Sequence, residues 1–443
     1  MGTLFEAKLR ALKTPPVISR YFSEGAPPDH MPAEKLARYQ LESLKAIVKR
    51  AYEQSPFYRN KMDGAGINPS GIEQLTDLGK LPFLTKDELR GKPWILLTCD
   101  KKDIVLVQVS TGTTGGEEIY MAYTWNDYLL HDLSPQYTQL FPVGPGDICL
   151  NALPYEMSTA GLAFHKTFME GYQATVIPAG KGGAYSTPTK TLKVIRDLSP
   201  NIVVTSPSWA ITLAEEAARS GVMLPNLGLK KMWLTGEGCS PAFRQRVEKL
   251  WGTTANFFYG SLECGGLGIE CDAHSGYHLT QAHVLMEIVD PRTGAVLPSG
   301  ETGEIVVTAL LRYDSPIIRF RTGDLGYLET APCACGSTLT RFHLRGRAFD
   351  QLQFRGKAFS PLLMEEFLMR MPEVGNWFQF VMPSSDSARI KIRCELASGV
   401  QPSQALAATI AGRMEASAHL PFDIEFVSHL PRPGSKVLRV VRE

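Results

Sequence analysis

The sequence has no long hydrophobic run and no excess of charge of either sign. No window approaches the roughly 20 apolar residues of a membrane span, and the first residues lack the apolar core of a signal peptide. Lys and Arg number 46 against 45 Asp and Glu, so the net charge is only +1. Such a balance of charge provides no broad positive electrostatic field that would attract nucleic acid or anionic lipid. We therefore expect a cytoplasmic protein with neither a nucleic-acid nor a membrane partner.

Cysteine is also scarce, with 8 residues in a chain of 443, too few for a disulfide scaffold. In a reducing compartment the close pair Cys333 and Cys335 indicates a metal site or chance spacing before a disulfide. Internal repeats and low-complexity tracts are missing as well. The length, with 44% apolar and 21% charged residues, predicts an ordinary globular protein of two or three domains.

The most distinctive stretch is a loop rich in glycine and hydroxyl residues. It reads Ser110-Thr111-Gly112-Thr113-Thr114-Gly115-Gly116 and follows an apolar run, 104–107, that predicts a buried strand. Glycines let the backbone approach a ligand, and amide and hydroxyl groups can converge on phosphate oxygens. A Walker A loop is excluded because the closing Gly-Lys-Ser/Thr is absent. The composition alone indicates either a phosphate loop or a solvated turn.

Hydrophobic patterning predicts the rest of the architecture. Residues 34–54 form an amphipathic helix, and Thr85 with Glu88 forms a capping box at the start of another. Short β-branched runs at 174–177, 201–205 and 231–235 alternate with helical patterns, which is typical of βαβ units and a parallel sheet. After residue 276 the pattern changes to alternation, as in 284–288 and 304–308, and predicts an antiparallel, barrel-like segment.

Ligands of such sheets bind where strands end and loops begin. Four loops at predicted strand ends are unusual in composition: 153–157, 205–209, 235–238 and 258–263. Each loop taken alone is better explained as a plain turn between a strand and a helix.

A series of motifs then occurs in the order typical of one superfamily. Besides the loop at 110–116 they are Thr235-Gly236-Glu237, Tyr259-Gly260-Ser261-Leu262-Glu263, Arg321-Thr322-Gly323-Asp324, Gly346-Arg347 with Asp350, and Gly434-Ser435-Lys436-Val437-Leu438-Arg439. In these the chain resembles the adenylate-forming acyl-CoA synthetases, and most of all the phenylacetate-CoA ligases, from about residue 35 to the end. The implied α/β fold has a large N-terminal domain, 1–347, with parallel sheets and the antiparallel segment, and a small mobile α+β domain, 348–443.

The resemblance also implies roles for individual residues. Binding of ATP would use Ser110, Thr111, Gly112, Thr113, Thr114 and Gly115 for the phosphates, Gly236, Glu237, Tyr259, Gly260 and Ser261 around adenine, and Asp324 for the ribose hydroxyls. The implied catalytic residues are Lys436, which bridges the α-phosphate and the acid, Glu263, which ligates Mg²⁺, and Arg347 near the ribose and phosphates. Asp350 would be the hinge. The alternative for Glu263 is an exposed carboxylate at a helix start, and the alternative for Arg347 is a surface arginine.

Two positions depart from the family pattern. The loop usually continues Gly-Lys, whereas here Gly116-Glu117-Glu118 follows and replaces a cation with two carboxylates. The linker usually reads Gly-Arg-x-Asp-Asp, whereas here Phe349 replaces the first Asp.

The expected function is ATP-dependent conversion of a carboxylic acid to an acyl-adenylate and then to a thioester of coenzyme A. The resemblance favours an aryl or arylacetic acid. Four apolar or aromatic side chains in the unusual loops are candidates to line its pocket: Tyr155, Met157, Trp209 and Phe258. Two alternatives remain: an enzyme that loads the phosphopantetheine thiol of a carrier protein, and a non-catalytic binding protein with the same fold. The sequence leaves a homodimer open.

A structural zinc site is the last expectation. Cys333 and Cys335 lie on one short turn, and Cys271 and His278 flank a loop earlier in the chain. Three thiols and an imidazole suit tetrahedral Zn²⁺, and similar residues in relatives of the phenylacetate-CoA ligases favour the site. His274 is a competing ligand, and four reduced side chains without metal are the alternative.

Overall fold

A computed structural model gives the structure of the chain. It describes residues 11–12, 17–22, 31–110, 116–130, 140–382, 388–432 and 437–442. The predicted phosphate-loop residues Thr111, Gly112, Thr113, Thr114 and Gly115, and the predicted lysine Lys436, lie outside the described residues.

The described α-helices are, in chain order, α1 (Ile18–Phe22), α2 (Ala33–Gln54), α3 (Pro56–Gly64), α4 (Lys86–Leu89), α5 (Trp125–Leu130), α6 (Thr159–Lys166), α7 (Pro188–Leu198), α8 (Pro207–Arg219), α9 (Pro241–Trp251), α10 (Pro361–Met369) and α11 (Gln404–Ala418). The strands are β1 (Ile104–Val109), β2 (Tyr120–Thr124), β3 (Ile148–Ala152), β4 (Thr175–Pro178), β5 (Ile202–Thr205), β6 (Lys231–Leu234), β7 (Ala255–Ser261), β8 (Gly265–Glu270), β9 (Tyr277–Leu279), β10 (Val284–Val289), β11 (Gly303–Ala309), β12 (Phe320–Glu329), β13 (Arg341–Arg347), β14 (Leu352–Phe354), β15 (Lys357–Phe359), β16 (Val374–Met382), β17 (Ile390–Leu396), β18 (Phe422–Phe426) and β19 (Val440–Arg442).

The chain packs as two compact units. The first comprises Met1–Gly180 and Asn256–Leu344, and the second Lys181–Ala255 and Arg345–Glu443. The mixed α/β fold class predicted from the sequence is confirmed. The predicted domain boundary after residue 347 stays a prediction, although the last segment of the second unit begins close to it.

The first unit contains the predicted antiparallel segment. Its strands follow the order β10-β11-β12-β13-β9-β8-β7, and β10 pairs with β11 in antiparallel register from Val284 opposite Ala309. Val284 and Ile288 are buried on the face that alternation predicted. Helix α2 packs Leu44, Ile47 and other apolar residues into the same core, as its amphipathic pattern indicated.

One sequence prediction about this unit is wrong. The run at 104–107 is a strand, but it is not buried, because Val105 and Val107 are 56% and 37% exposed. Strand β1 pairs only with β2 among the described strands, as an antiparallel two-stranded ribbon, so one face stays open to water. The apolar run resembled a buried strand because side-chain hydrophobicity does not report how many layers cover a sheet.

The predicted capping box at α4 is confirmed. The amide and hydroxyl of Thr85 both donate to Glu88 Oε2, each at 2.9 Å. This helix is short and ends at Leu89, so that Arg90 and Gly91 follow directly after it.

The second unit carries the parallel pair β5 and β6, which the β-branched runs predicted. Two helices of this unit begin with serine followed by proline: Ser206 Oγ accepts from the amide of Trp209 at α8, and Ser240 Oγ accepts from Phe243 at α9. The C-terminal segment adds the sheet β18-β17-β16-β19, the hairpin β14-β15 and helices α10 and α11. Among the helices of the described ranges, none is long and apolar enough to cross a membrane.

Candidate active site

In the first unit the structure joins two residues that the sequence separates widely. The hydroxyl of Tyr259, on β7, donates to Asp324 Oδ2, on β12, at 2.5 Å. The Tyr259 ring also meets Phe342 edge to face, with centroids 5.5 Å apart. The contact holds the carboxylate of Asp324 in one orientation.

The turn before Asp324 is rigid for a reason that lies in its own sequence. Gly323 has φ +76°, a conformation that glycine adopts without strain. The hydroxyl of Thr322 accepts from the Asp324 amide at 3.0 Å and donates to the carbonyl of Ile305 at 2.8 Å. These bonds fix the backbone that presents the carboxylate.

The two arginines of this motif region are anchors of the fold. Arg321 Nε donates to Glu304 at 2.8 Å. Arg319 is buried and makes two 3.0 Å bonds to the carboxylate of Glu287 and one to the carbonyl of Leu81. Both guanidinium groups are therefore engaged in hydrogen bonds within the unit.

The motif at 259–263 covers the end of β7 and the first residues of the tight turn that leads into β8. A Cβ atom at Gly260 would lie 2.6 Å from the carbonyl oxygen of Gly265, so only glycine fits. Ser261 Oγ accepts from the amide of Cys264 at 3.1 Å and fixes the turn. Glu263 lies at the tip of the hairpin and is only 7% exposed, so the alternative of an exposed carboxylate at a helix start is wrong. A buried carboxylate requires a cationic or donor partner.

The ends of the glycine-rich loop are fastened together. The amide of Ser110 donates to the carbonyl of Ile119 at 2.9 Å, and the amide of Ile119 donates to Ser110 Oγ at 3.0 Å. Ser110 is the first residue of the loop, and its hydroxyl oxygen also joins the two ends of the loop through the bond with the Ile119 amide. Gly116, at the other end, has φ +88°.

Three of the predicted pocket residues also belong to the first unit. The Phe258 ring packs edge to face on Phe164 with centroids 5.0 Å apart, and the Tyr155 hydroxyl contacts Asn151 at 2.8 Å and His165 at 3.2 Å. Burial raises the pKa of Tyr155, so that it stays a phenol. The Met157 side chain is 73% exposed.

In the second unit Glu237 forms a buried ion pair that the sequence did not reveal. Its carboxylate accepts from Lys181 Nζ at 2.8 Å, from the Ser208 hydroxyl at 2.8 Å and from the Ser208 amide at 3.2 Å. Burial acts to raise the pKa of Glu237, but Lys181 and Ser208 outweigh it, and the pKa is lowered. Gly236 precedes it at φ +83°, and the pair fixes this motif loop.

The remaining predicted residues of the second unit are dispersed. Trp209 is buried in the first turn of α8. Arg347 ends β13, half-buried, with its guanidinium 5.7 Å from the ring centroid of Phe349. Asp350 lies in the turn that follows, where the Gln351 side chain donates to the carbonyl of Arg347 at 2.8 Å.

The four predicted zinc ligands come together in the first unit. The ligand atoms of Cys271, His278, Cys333 and Cys335 all lie within 4.8 Å of one another. Cys271 Sγ is 3.6 Å from Cys333 Sγ, and Cys335 Sγ is 3.4 Å from His278 Nε2. The competing residue, His274, instead lies 3.2 Å from Glu270.

A buried arginine holds the two loops that carry these cysteines. Arg341 Nη1 donates to the carbonyl of Ser275 at 2.6 Å, and Nη2 donates to the carbonyl of Ala331 at 3.0 Å. The sulfur positions are therefore set by the fold on both sides of the cluster.

Comparison with known proteins gives the same family as the motifs. The AMP-binding enzyme family matches residues 40–309. A phenylacetate-coenzyme A ligase of Thermus thermophilus is 34% identical over 371 residues, which are 82% of this chain and 82% of the relative. The ligase of the same name from Aromatoleum evansii is 32% identical and covers 79% of this chain and 80% of its own.

Solved structures agree on the fold. A 2-hydroxyisobutyryl-CoA ligase in the postadenylation state superposes with a TM-score of 0.86 at 23% identity, over 94% of this chain and 91% of that chain. An anthranilate CoA ligase bound to anthranoyl-AMP superposes with a TM-score of 0.59 at 20% identity, over 77% and 67%. The motifs, their geometry and these relatives lead to one conclusion: the chain belongs to the AMP-binding enzyme family, among sequences similar to phenylacetate-CoA ligases.

Proposed function

We propose that this enzyme activates an aryl or arylacetic acid with ATP and transfers the acyl group to coenzyme A. The general reaction is that of the family and of its phenylacetate-CoA ligase relatives. An AMP-forming ligase converts a carboxylic acid to an acyl-CoA through an acyl-adenylate. The observation that carries the proposal is the carboxylate of Asp324, which is fixed by Tyr259 on a rigid turn. A carboxylate held in one orientation is a suitable acceptor for the hydroxyl groups of a ribose.

The resemblance assigns the contacts of the nucleotide. Ser110 and the residues that follow it, Thr111 to Gly115, would hold the leaving phosphates, Tyr259 with Gly260 and Ser261 would lie beside adenine, and Gly236 with Glu237 would also contact adenine. The ion pair with Lys181 occupies the Glu237 carboxylate, which favours contact with adenine through the backbone of this loop. Arg347 and Lys436 would neutralise charge on the phosphates and the acid.

Glu263 has the properties of a residue that binds Mg²⁺. Its carboxylate is nearly buried at a hairpin tip whose shape is fixed by Gly260 and Ser261, and Mg²⁺ prefers oxygen ligands from one or two carboxylates together with phosphates. When bound, the ion would supply positive charge to the phosphates. Glu263 itself would hold that charge in place.

The acid pocket is proposed from aromatic side chains. The ring pair Phe164 and Phe258, the half-buried phenol of Tyr155 and the exposed Met157 offer apolar surface and one polar group in the first unit. The sequence also predicts Trp209 as a pocket residue. Planar aromatic acids pack well on such rings. A cytoplasmic location fits the proposal, because ATP and coenzyme A are available there and free thiols stay reduced.

The experiment is pyrophosphate release with a panel of aliphatic, aryl and arylacetic acids, with and without coenzyme A. We expect release that depends on the acid, is highest for aromatic acids and yields the CoA thioester. Activity only with aliphatic acids would reject the aryl specificity. Thioester formation on a phosphopantetheine carrier protein but not on free CoA would favour the carrier-loading alternative, and no release with any acid would favour a non-catalytic protein. Sedimentation of the same sample tests for a homodimer.

We also propose that Cys271, His278, Cys333 and Cys335 bind one structural Zn²⁺. A tetrahedral ion with Zn–S bonds of ~2.3 Å separates its sulfur ligands by about 3.8 Å, close to the observed 3.6 Å between Cys271 and Cys333. A disulfide would need about 2.05 Å. Four protein ligands close the coordination shell, so the ion would join two loops without entering the reaction.

Protein purified without added metal should contain about one zinc per chain by elemental analysis. The double substitution Cys333→Ser and Cys335→Ser should lose the metal and lower the melting temperature. The control Cys99→Ser changes a half-buried cysteine outside the cluster and should keep the metal. Wild-type protein without zinc would contradict this proposal and leave the ligase proposal standing.

A further inference from the structure

An amide, a phenol and an imidazole form a polar cluster beside the aromatic side chains of the proposed acid pocket. Asn151 Nδ2 donates to the Tyr155 hydroxyl at 2.8 Å and to the carbonyl of Gly161 at 2.8 Å. The Tyr155 hydroxyl also lies 3.2 Å from His165 Nδ1. Asn151 lies near the end of β3, which pairs in parallel with β4, and ligands of parallel sheets bind where strands end and loops begin.

The backbone around this cluster is held in place. The amide of Gly161 donates to the carbonyl of Pro154 at 3.0 Å, and a Cβ atom at Gly161 would lie 2.4 Å from that carbonyl oxygen. Only glycine therefore lets the loop before α6 lie against the helix. Phe164, which precedes His165 on α6, packs its ring on Phe258. The same helix thus carries one member of the polar cluster and one member of the aromatic pair.

The direction of the hydrogen bonds follows from the carbonyl of Gly161. A carbonyl only accepts, so the Asn151 atom that faces it is the nitrogen, and the second proton of this nitrogen goes to the Tyr155 oxygen. Burial raises the pKa of Tyr155, so that the phenol keeps its own proton and donates it to His165 Nδ1. In the neutral imidazole the ring proton is then on Nε2.

The cluster does not satisfy all of its own hydrogen-bonding groups. Across the described part of the chain, the one hydrogen bond of His165 is with Tyr155, and Asn151 Oδ1 is buried without a donor. A polar network that served only packing is expected to satisfy its buried atoms internally. The side chains of Tyr155 and His165 are only half-buried, so that a ligand can reach them.

We propose that the substrate is an aryl or arylacetic acid with a hydroxyl group on its ring, and that His165 and Tyr155 bind this hydroxyl. The inference rests on the proposed function, because it assumes that the acid lies beside the ring pair Phe164 and Phe258. A hydroxyl group can accept from His165 Nε2 or donate to the Tyr155 oxygen. Because Asn151 and Tyr155 fix the tautomer of the imidazole, the donor is present before the acid binds.

The first test compares arylacetic acids that differ only in one ring substituent: hydroxyl, methyl or hydrogen, placed in turn at each ring position. We expect kcat/KM for pyrophosphate release to be at least about tenfold higher for the best hydroxylated acid than for its methyl analogue, because the analogue leaves the His165 donor unpaired. Phenylacetate should react, but more slowly. A ratio near one would overturn this inference alone, whereas no release with any acid would reject the proposed function itself.

Two substitutions test the residues. Tyr155→Phe and His165→Leu should each lower the hydroxyl-to-methyl ratio towards one, and damage common to both acids cancels in this ratio. The matched control is Tyr52→Phe, which removes another hydrogen-bonded phenol, here bound to Asp63 at 2.9 Å, and should keep the ratio. A ratio that either Tyr155→Phe or His165→Leu leaves unchanged would overturn the proposal, since the chain of hydrogen bonds needs both residues.

Discussion

Substitution of Lys436 by alanine should reduce adenylate formation by about 10²- to 10³-fold, the loss typical of one donor to transition-state charge. Lys436 lies outside the described residues, so the expectation rests on the sequence. The preceding residues, Arg432-Pro433-Gly434-Ser435, have the composition of a turn, and we predict from it that one flexible ammonium is presented there. That ammonium would bridge the α-phosphate and the substrate carboxylate, which repel each other because both are negatively charged.

The two half-reactions distinguish this role from general damage. Lys436→Ala enzyme supplied with a chemically prepared acyl-adenylate should still form the thioester with coenzyme A at nearly the normal rate. The control Lys249→Ala removes an exposed lysine from the last turn of α9 and should leave both steps unchanged. Near-normal pyrophosphate release by Lys436→Ala would reject the assignment.

Substitution of Asp350 by proline should spare adenylation and slow thioester formation at least tenfold, equivalent to about 1.4 kcal/mol in the barrier. Residues 348–443 are predicted to swing between the half-reactions, because Lys436 must approach for the first and make room for the thiol in the second. Proline fixes φ near −65° and would prevent a large backbone change at this position. Asp350→Ala retains that freedom and is the matched control.

The contacts that such a swing would break are visible within the second unit. Arg246 on α9 donates to the carbonyl groups of Met369 at 2.9 Å, Met371 at 2.6 Å and Val374 at 2.7 Å. Two carboxylates of α10 approach the start of the same helix: Glu365 accepts from the amide of Ser240 at 2.6 Å, and Glu366 accepts from Ala242 at 2.7 Å. These hydrogen bonds can be replaced by hydrogen bonds to water at a moderate cost in free energy, which suits an interface that opens reversibly.

The outcome for Asp350→Pro has three readings. Slowed thioester formation alone supports the hinge, while equal loss in both steps means that proline disrupts the linker after β13. If both steps proceed normally, Asp350 is a fixed residue of the turn and the hinge assignment is wrong.

Much of the fold could be predicted because its signals are local. The capping box of Thr85 and Glu88 and the strands at 202–205 and 231–234 follow from residues close together in sequence. The exposure of β1 could not be predicted from the sequence, since only the pairing with β2 reveals that one face of the ribbon is open to water.

The candidate site was predictable only where a motif or a resemblance existed. The cluster of Cys271, His278, Cys333 and Cys335 was proposed from spacing and resemblance, and the fold does bring the four together. The contact of Lys181 with Glu237 depends on tertiary packing between segments far apart in sequence. The glycines around Lys181, at 180, 182 and 183, were the one local signal that this lysine enters a constrained turn.

The most direct test of the account follows the oxygen atoms of the acid. In the proposed reaction a carboxylate oxygen attacks the α-phosphorus of ATP and pyrophosphate leaves. The thiol of coenzyme A then attacks the acyl carbon, and AMP leaves with that oxygen. Phenylacetate whose carboxylate carries heavy oxygen should therefore give AMP with one labelled oxygen, together with phenylacetyl-CoA, by mass spectrometry. Thioester formed alongside unlabelled AMP, or alongside ADP and labelled phosphate, would contradict an acyl-adenylate and with it the central claim.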